Sequence, residues 1–362
     1  MERYTLLPAL FILLFGQSCI HGDLDDCPPM VQYAVAFEYT NHTGSPADRF
    51  YEDVKKIDLF VFDDNEFIYT TKTEIRPFDT NLTIPLDIPM GIYDIIAWGN
   101  VMDDQPIVIE PAPAEFIPGV TTLDEARCIL QTKAGNLSDT ELEKLFFGEI
   151  MAEIPSHISR VDTIPLNNDT KRIRVVLHWD YNNLPPQSRI DHQNVAVRLT
   201  GTNARYRFHN DCHELDVVYA PYHVPYNQEQ TDSILELDDS NWLQIAYGDE
   251  SLFRNLEESK VYDFSVLRLF KDMPLTLTVE HRYPSMNPVP IHTAVNILCR
   301  DEGFSKMFDD RMRIVESQWQ FMYDRYDDYR IDIFVVQKEL NTFVTGSINF
   351  IDWKKIKDDT EV

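Results

Sequence analysis

Two tandem antiparallel β-sandwich domains with short helical excursions are the mostly-β fold that the sequence predicts, and three observations carry that expectation. The chain has 362 residues, so at ~150 residues per domain about two cores are expected. Its 21 Phe and 17 Tyr, within a hydrophobic share of 44%, suit pleated, half-buried surfaces. Short apolar or alternating runs recur between Asn, Asp, Gly and Pro, as they do where strands are joined by turns.

The first series of runs opens after Pro28-Pro29, with a strand expected over Val31 to Thr40. Lys56 to Phe62 and Phe67 to Thr71 flank the polar turn Asp63-Asp64-Asn65-Glu66 and predict a hairpin. Leu82 to Ile84 and Gly91 to Asn100 continue the series. Thr122-Leu123-Asp124-Glu125 and Ser138-Asp139-Thr140-Glu141 have the spacing of a capping box, so a short helix is expected at each.

A second series begins near Lys171. In Arg172 to Trp179 the odd positions Ile173, Val175, Leu177 and Trp179 form one apolar face, the period-2 pattern of a strand with one buried side. Val195 to Leu199 and Ala204 to Phe208 follow as an expected pair of strands, then Lys260 to Phe270 and Leu275 to Val279. The stretch Asp301 to Tyr329 is charged and aromatic and reads as a long loop with helical pieces. Tyr329 to Gln337 and Thr342 to Trp353 close the chain as two strands. Ile92-Tyr93-Asp94 and Val261-Tyr262-Asp263, one in each half, suggest a duplication.

The balance of 32 Lys and Arg against 60 Asp and Glu gives a formal charge of -28. Nucleic acid is therefore not an expected partner, because phosphate neutralisation has no basic source. Anionic membranes repel the folded part for the same reason. The apolar segment Leu6 to Phe15 has the length of a signal-peptide core and is too short to span a bilayer. Gly16-Gln17-Ser18-Cys19 follows it and resembles a bacterial lipoprotein cleavage box, with Gly16 where an apolar residue is usual. The resemblance implies that Cys19 becomes the lipidated N-terminus, where several acyl chains at ~0.8 kcal/mol per CH₂ give an anchoring that one chain does not. The division expected is thus signal peptide 1–18, lipidated linker 19–29, first sandwich domain 30–168 and second sandwich domain 169–362. Cys27, Cys128, Cys212 and Cys299 have no paired C-x-x-C spacing, so three disulfide pairings stay open.

The box, the acidic stretch Asp23-Leu24-Asp25-Asp26-Cys27-Pro28 and several strings in order resemble the fimbrillin-associated anchor protein family of Gram-negative anaerobes. Those strings are Lys56 to Phe62, Tyr93 to Asn100 ending in Ala97-Trp98-Gly99-Asn100, Leu145-Phe146-Phe147-Gly148 and Ile348 to Trp353. The resemblance implies transthyretin-like or Ig-like sandwiches in an outer-membrane lipoprotein at the cell surface, at the base or tip of a pilus. Its implied partners are pilin or fimbrial shaft subunits, joined by strand exchange, and the outer membrane through the lipid on Cys19. An open sheet edge offers unpaired N–H and C=O groups that an incoming strand satisfies along its length. The resemblance further implies retention of the N-terminal strand that shaft subunits lose by proteolysis. Here that strand is Val31 to Thr40, with Arg49 the first arginine after it.

No G-x-S-x-G, H-E-x-x-H, phosphate loop or EF-hand spacing occurs, so no enzyme, catalytic residue, cofactor or metal is expected. His209-Asn210-Asp211-Cys212-His213 gathers ligand-type residues without a second cluster and reads as a turn between strands. Asp63 to Glu66 and Asp238-Asp239-Ser240-Asn241 read as solvated turns rather than calcium loops. Trp98, Trp179 and Trp353 read as core. Trp242 and Trp319, in more polar surroundings, are the residues that would serve the alternative function, a surface glycan-binding lipoprotein. Asp162-Thr163-Ile164 and Asp232-Ser233-Ile234 resemble a short O-glycosylation signal.

Overall fold

The computed structural model describes residues 33–42, 47–68, 72–77, 81–154, 159–181, 183–225, 229–231, 258–270, 272–282, 289–296, 319–339 and 342–351. Through the first half the strands are β1 (Tyr33–Glu38), β2 (Lys56–Asp63), β3 (Glu66–Phe67), β4 (Lys72–Ile75), β5 (Ile84–Leu86), β6 (Gly91–Gly99), β7 (Ile107–Glu110), β8 (Arg127–Leu130) and β9 (Leu137–Ser138). Next come β10 (Phe146–Ile154), β11 (Arg160–Pro165), β12 (Asn167–Asn168), β13 (Thr170–Asp180), β14 (Val195–Gly201), β15 (Arg205–Arg207) and β16 (Val217–Tyr219). The last are β17 (Glu258–Leu267), β18 (Thr276–His281), β19 (Val289–Asn296), β20 (Asp328–Glu339) and β21 (Thr342–Ile351). Short α-helices, among them Phe50–Asp53 and Trp319–Arg325, interrupt the strands of this mostly-β chain.

The strands form five sheets among the described residues. An outer sheet, β11-β1-β5, faces a central sheet, β12-β10-β6-β2-β3 with β4 also on β2. Between them lies a core of Tyr33, Val35 and Phe37 from β1, Ile57, Leu59 and Val61 from β2, and Tyr93, Ile95 and Ala97 from β6. The opposite face of the central sheet carries Phe60, Phe62, Ile96 and Trp98, and a bridging sheet, β15-β8-β7, covers it. Ring centroids 4.8 Å apart for Phe60–Phe208 and 6.4 Å for Trp98–Tyr206 show how close that cover is. Buried on both faces there, β2 and β6 carry the unbroken apolar runs Leu59 to Phe62 and Ile95 to Trp98.

The remaining sheets are β19-β18-β14-β16-β9 and the carboxy-terminal sheet β17-β13-β20-β21. Ile173, Val175, Leu177 and Trp179 of β13 all enter the core between them, as their alternation predicts. Pairing is mainly antiparallel, but β1–β11, β13–β20 and β9–β16 run parallel. The halves also exchange strands: β15 pairs with β8, and β9 pairs with β16. Residues before and after Asp169 therefore share one apolar cluster.

Several expectations are corrected by this arrangement. No helix follows Thr122. The Glu125 and Ala126 N–H groups both donate to the Thr122 carbonyl at 3.2 Å, and Glu125 Oε2 accepts from the Thr122 N–H at 3.3 Å. The capping contact thus closes a single turn, after which Cys128 and Leu130 must point inward with strand periodicity. Ser138 opens no helix either, since it lies in β9 opposite Tyr219. Val195–Leu199 and Ala204–Phe208 are not a pair: β14 lies between β16 and β18, while β15 leaves for β8. The strand expected at Leu82 to Ile84 lies at Ile84–Leu86, and among the described residues the return strand of the first hairpin is Glu66–Phe67, Tyr69 to Thr71 lying outside them.

Candidate functional site

β1 is the inner strand of the outer sheet. Tyr33 through Glu38 run parallel to Arg160 through Pro165, and Tyr33 to Val35 run antiparallel to Leu86 to Ile84. Its apolar side chains alternate with half-buried ones, so one face enters the core. The Tyr33 hydroxyl donates to Asp162 Oδ2 at 2.9 Å. Burial, with Asp162 beside it, raises the Tyr33 pKa well above the usual phenol range.

The chain after β1 is pinned by Asp48, whose Oδ1 accepts from the Tyr39 N–H at 2.8 Å and from the Phe50 N–H at 2.9 Å. Arg49 donates its main-chain N–H to the Tyr39 carbonyl at 3.0 Å, and its guanidinium meets Glu52 at 3.1 Å and Asp53 at 3.2 Å. Phe50 is fully buried and stacks on Phe37 with centroids 5.5 Å apart. The Arg49–Phe50 bond therefore lies in a segment whose next side chain belongs to the core.

From here a polar network crosses to the second half. The Tyr39 hydroxyl donates to Asp327 Oδ2 at 3.1 Å, and the buried Lys171 Nζ donates to Asp327 Oδ1 at 3.3 Å and to the Asp324 carbonyl at 2.9 Å. Lys144 Nζ lies 2.8 Å from Asp53 Oδ2 and 3.9 Å from Asp327 Oδ2. Burial and then Asp327 push the Tyr39 pKa upward. Above this network opens a cleft of about 450 Å³, lined by Lys144, Asn168, Thr170, Arg172 and Ser265 among others, none of them aromatic.

The sequence-chosen residues fall in different places. Cys19, the residue expected to carry lipid, lies outside the described residues, as do Trp242, Trp353, Asp238 to Asn241, Ser233, Cys27 and Cys299. Trp98 and Trp179 are fully buried core residues, and Trp319 opens the second helix. Thr163 is exposed on β11. His209 to His213 is the turn after β15: His209 Nδ1 meets Glu149 at 2.6 Å, and His213 Nδ1 accepts from Arg127 Nε at 3.1 Å. Among the described residues no three His, Cys, Asp or Glu converge as metal ligands. Cys128 and Cys212 are free thiols. Burial raises both pKa values, that of Cys212 to about 11, so neither is poised as a nucleophilic thiolate. Sequence reasoning missed Asp48, Lys171 and Asp327. Only Asp48, an Asp just before a short helix, carried a local signal.

Comparison with known proteins gives a consistent answer. No curated protein matches the sequence. The fold is similar to that of a candidate adhesin from Bacteroides thetaiotaomicron, with TM-score 0.64 and 18% identity over 91% of this chain and 98% of that one. A second Bacteroides thetaiotaomicron structure, described as a proposed polysaccharide-binding protein, has TM-score 0.63 and 19% identity over 87% and 96%. The fimbrial anchor protein Mfa2 from Porphyromonas gingivalis has TM-score 0.60 and 16% identity over 89% and 97%. The family model of the fimbrillin-A-associated anchor proteins Mfa1 and Mfa2 matches residues 24–359. The chain belongs to that family of fimbrial anchor proteins.

Proposed function

We propose that this chain anchors or terminates a pilus at the cell surface, tethered to the outer membrane by lipid on Cys19 and joined to pilin subunits by strand exchange. The observation that supports it most is the integration of β1: the strand is paired on both edges and its side chains fill the first core. A sandwich already complete has no vacancy for a partner's strand in that position, which is what a subunit at the end of a polymer requires. The clamp around Arg49 favours retention of β1, because a protease must draw an extended segment into its own site and Phe50 is held in the core. Pairing with pilin then falls to outer edges such as β21, which among the described residues pairs only with β20.

In this reading residues 1–18 are removed, 19–29 form the tether, and 30–168 and 169–362 are two sandwiches joined at Asp169. The protein acts through main-chain edges and is not an enzyme. The glycan-binding alternative draws on the description of one structural neighbour. It calls for an aromatic platform containing Trp242 or Trp319; among the described residues the cleft lining carries no aromatic side chain.

Replacing the tether tests the proposal. The variant Cys19→Ala should move from the membrane to the soluble fraction, and pili should detach into the medium. Unchanged membrane retention, or isolated pili that lack this polypeptide, would overturn the anchor reading.

A further inference from the structure

Asp169 is the one residue between β12, on the central sheet, and β13, on the carboxy-terminal sheet. Its N–H donates to the Leu145 carbonyl at 2.7 Å, which fixes the position of its side chain. That side chain is fully buried; the Asn210 side-chain amide faces it, but neither carboxyl oxygen meets a donor in good hydrogen-bond geometry.

The groups around it come from both halves. Arg268, leaving β17, has Nε 3.8 Å from Asp169 Oδ1. Its guanidinium is already committed to Asp324, with Nε to Oδ1 at 2.6 Å and Nη2 to Oδ2 at 2.8 Å, and to the Asn210 carbonyl at 3.1 Å. Asp324 belongs to the Trp319–Arg325 helix, which packs against β12. Lys171, on β13, is held by Asp327 and the Asp324 carbonyl. The Asn210 side chain, Tyr206 of β15 and Cys128 of β8 complete the surroundings, the last two neutral and raised in pKa by burial.

We propose that Asp169 is a proton-operated latch between the two sandwiches: neutral, it leaves Arg268 on Asp324 and the Trp319–Arg325 helix seated; ionised, it draws Arg268 away and loosens that helix. One guanidinium cannot serve two carboxylates bidentately, and the present geometry is that of the neutral state. A fully buried carboxylate with only the Asn210 amide and a guanidinium shared with Asp324 beside it is disfavoured, whereas a carboxylic acid is tolerated there. Burial pushes the Asp169 carboxyl from 3.8 up to about 7; Arg268, Lys171 and the Asn210 side chain pull the other way, and the neighbouring Asp324 carboxylate adds to the rise. The sign follows: the folded chain holds a proton that the unfolded chain has lost, so stability falls as pH rises from about 4 to about 7 and levels off above that.

Thermal unfolding of the full chain and of Asp169→Asn from about pH 4 to about pH 9 tests the latch. The variant cannot ionise, so its Tm should gain on the wild type up to about pH 7 and keep a constant lead above it. Hydrogen exchange of 319–325, corrected for intrinsic pH dependence, should accelerate across the same range in the wild type and not in the variant. Parallel Tm curves, or helix exchange in the wild type indifferent to pH, would overturn it. If Asp169→Asn does not fold, the infrared carboxylic-acid band of the wild type decides. A buried acid band that disappears near pH 7 supports the latch, and the absence of any such band at pH 5 refutes it.

Discussion

The central sheet and the carboxy-terminal sheet solve the same burial problem in opposite ways. In the first, β2 sends Ile57, Leu59 and Val61 into one core and Phe60 and Phe62 into another, and β6 does likewise with Ile95 and Ala97 against Ile96 and Trp98. In the second, Ile173, Val175, Leu177 and Trp179 fill one face, while the other carries the charged and polar Arg174 and His178 around buried Val176, with Arg172 at its exposed end. There Arg172 meets Asp328 at 2.6 Å, Arg174 meets Asp263 at 2.6 and 3.1 Å, and Asp332 meets His178 at 2.7 Å and Arg330 at 3.1 Å. Apolar layers on both sides leave a strand no need of alternation. A face made of charge needs a partner for every group, because an unpaired buried ion costs more than its pairing returns.

The comparison breaks if the two kinds of face do not respond differently to truncation. Phe60 is fully buried, with the rings of Phe116 and Phe208 both 4.8 Å away. Phe60→Ala opens a cavity between two sheets that cannot both collapse, and is expected to cost about 3–5 kcal/mol by denaturant unfolding. Asp263→Ala should cost less, about 2–4 kcal/mol, by leaving Arg174 without its bidentate acceptor. The double replacement Arg174→Leu with Asp263→Val should recover most of that loss, to within about 1 kcal/mol of the wild type. A loss under about 1 kcal/mol for Asp263→Ala alone would mean that water reaches this face and that its burial is nominal.

The same contrast explains what could be read in the sequence. A run such as Ile57 to Phe62 announces a strand at once, and so does the alternation from Ile173 to Trp179. The partners of these strands are not announced. Arg174 and Asp263 lie 89 positions apart, and Tyr39 and Asp327 lie 288 apart. β8 and β9 pair with strands of the other half, which the locally sound capping motifs at Thr122 and Ser138 do not reveal. The Thr122 contact does form, but strand burial two residues on overrides its propagation. Of the site, β1 was legible because its own side chains alternate. The clamp at Arg49 was not, since it depends on a main-chain carbonyl ten positions earlier.

The smallest expected effect separates pairing from burial. Lys55 Nζ and Glu143 Oε2 stand 2.8 Å apart, as short a contact as those on the carboxy-terminal sheet, but their side chains are 48% and 43% exposed. Arg174 and Asp263 are 13% and 10% exposed. A double-mutant cycle to alanine at Lys55 and Glu143 should give a coupling of about 0.2–1 kcal/mol, because water screens the pair in the folded state and solvates both ions when it is broken. Added salt should shrink it further, since both charges lie within reach of counterions. A coupling above about 2 kcal/mol that persists in high salt would show that contact distance, rather than exclusion of water, sets the worth of an ion pair in this protein. The charged face of β13 would then owe its strength to geometry alone.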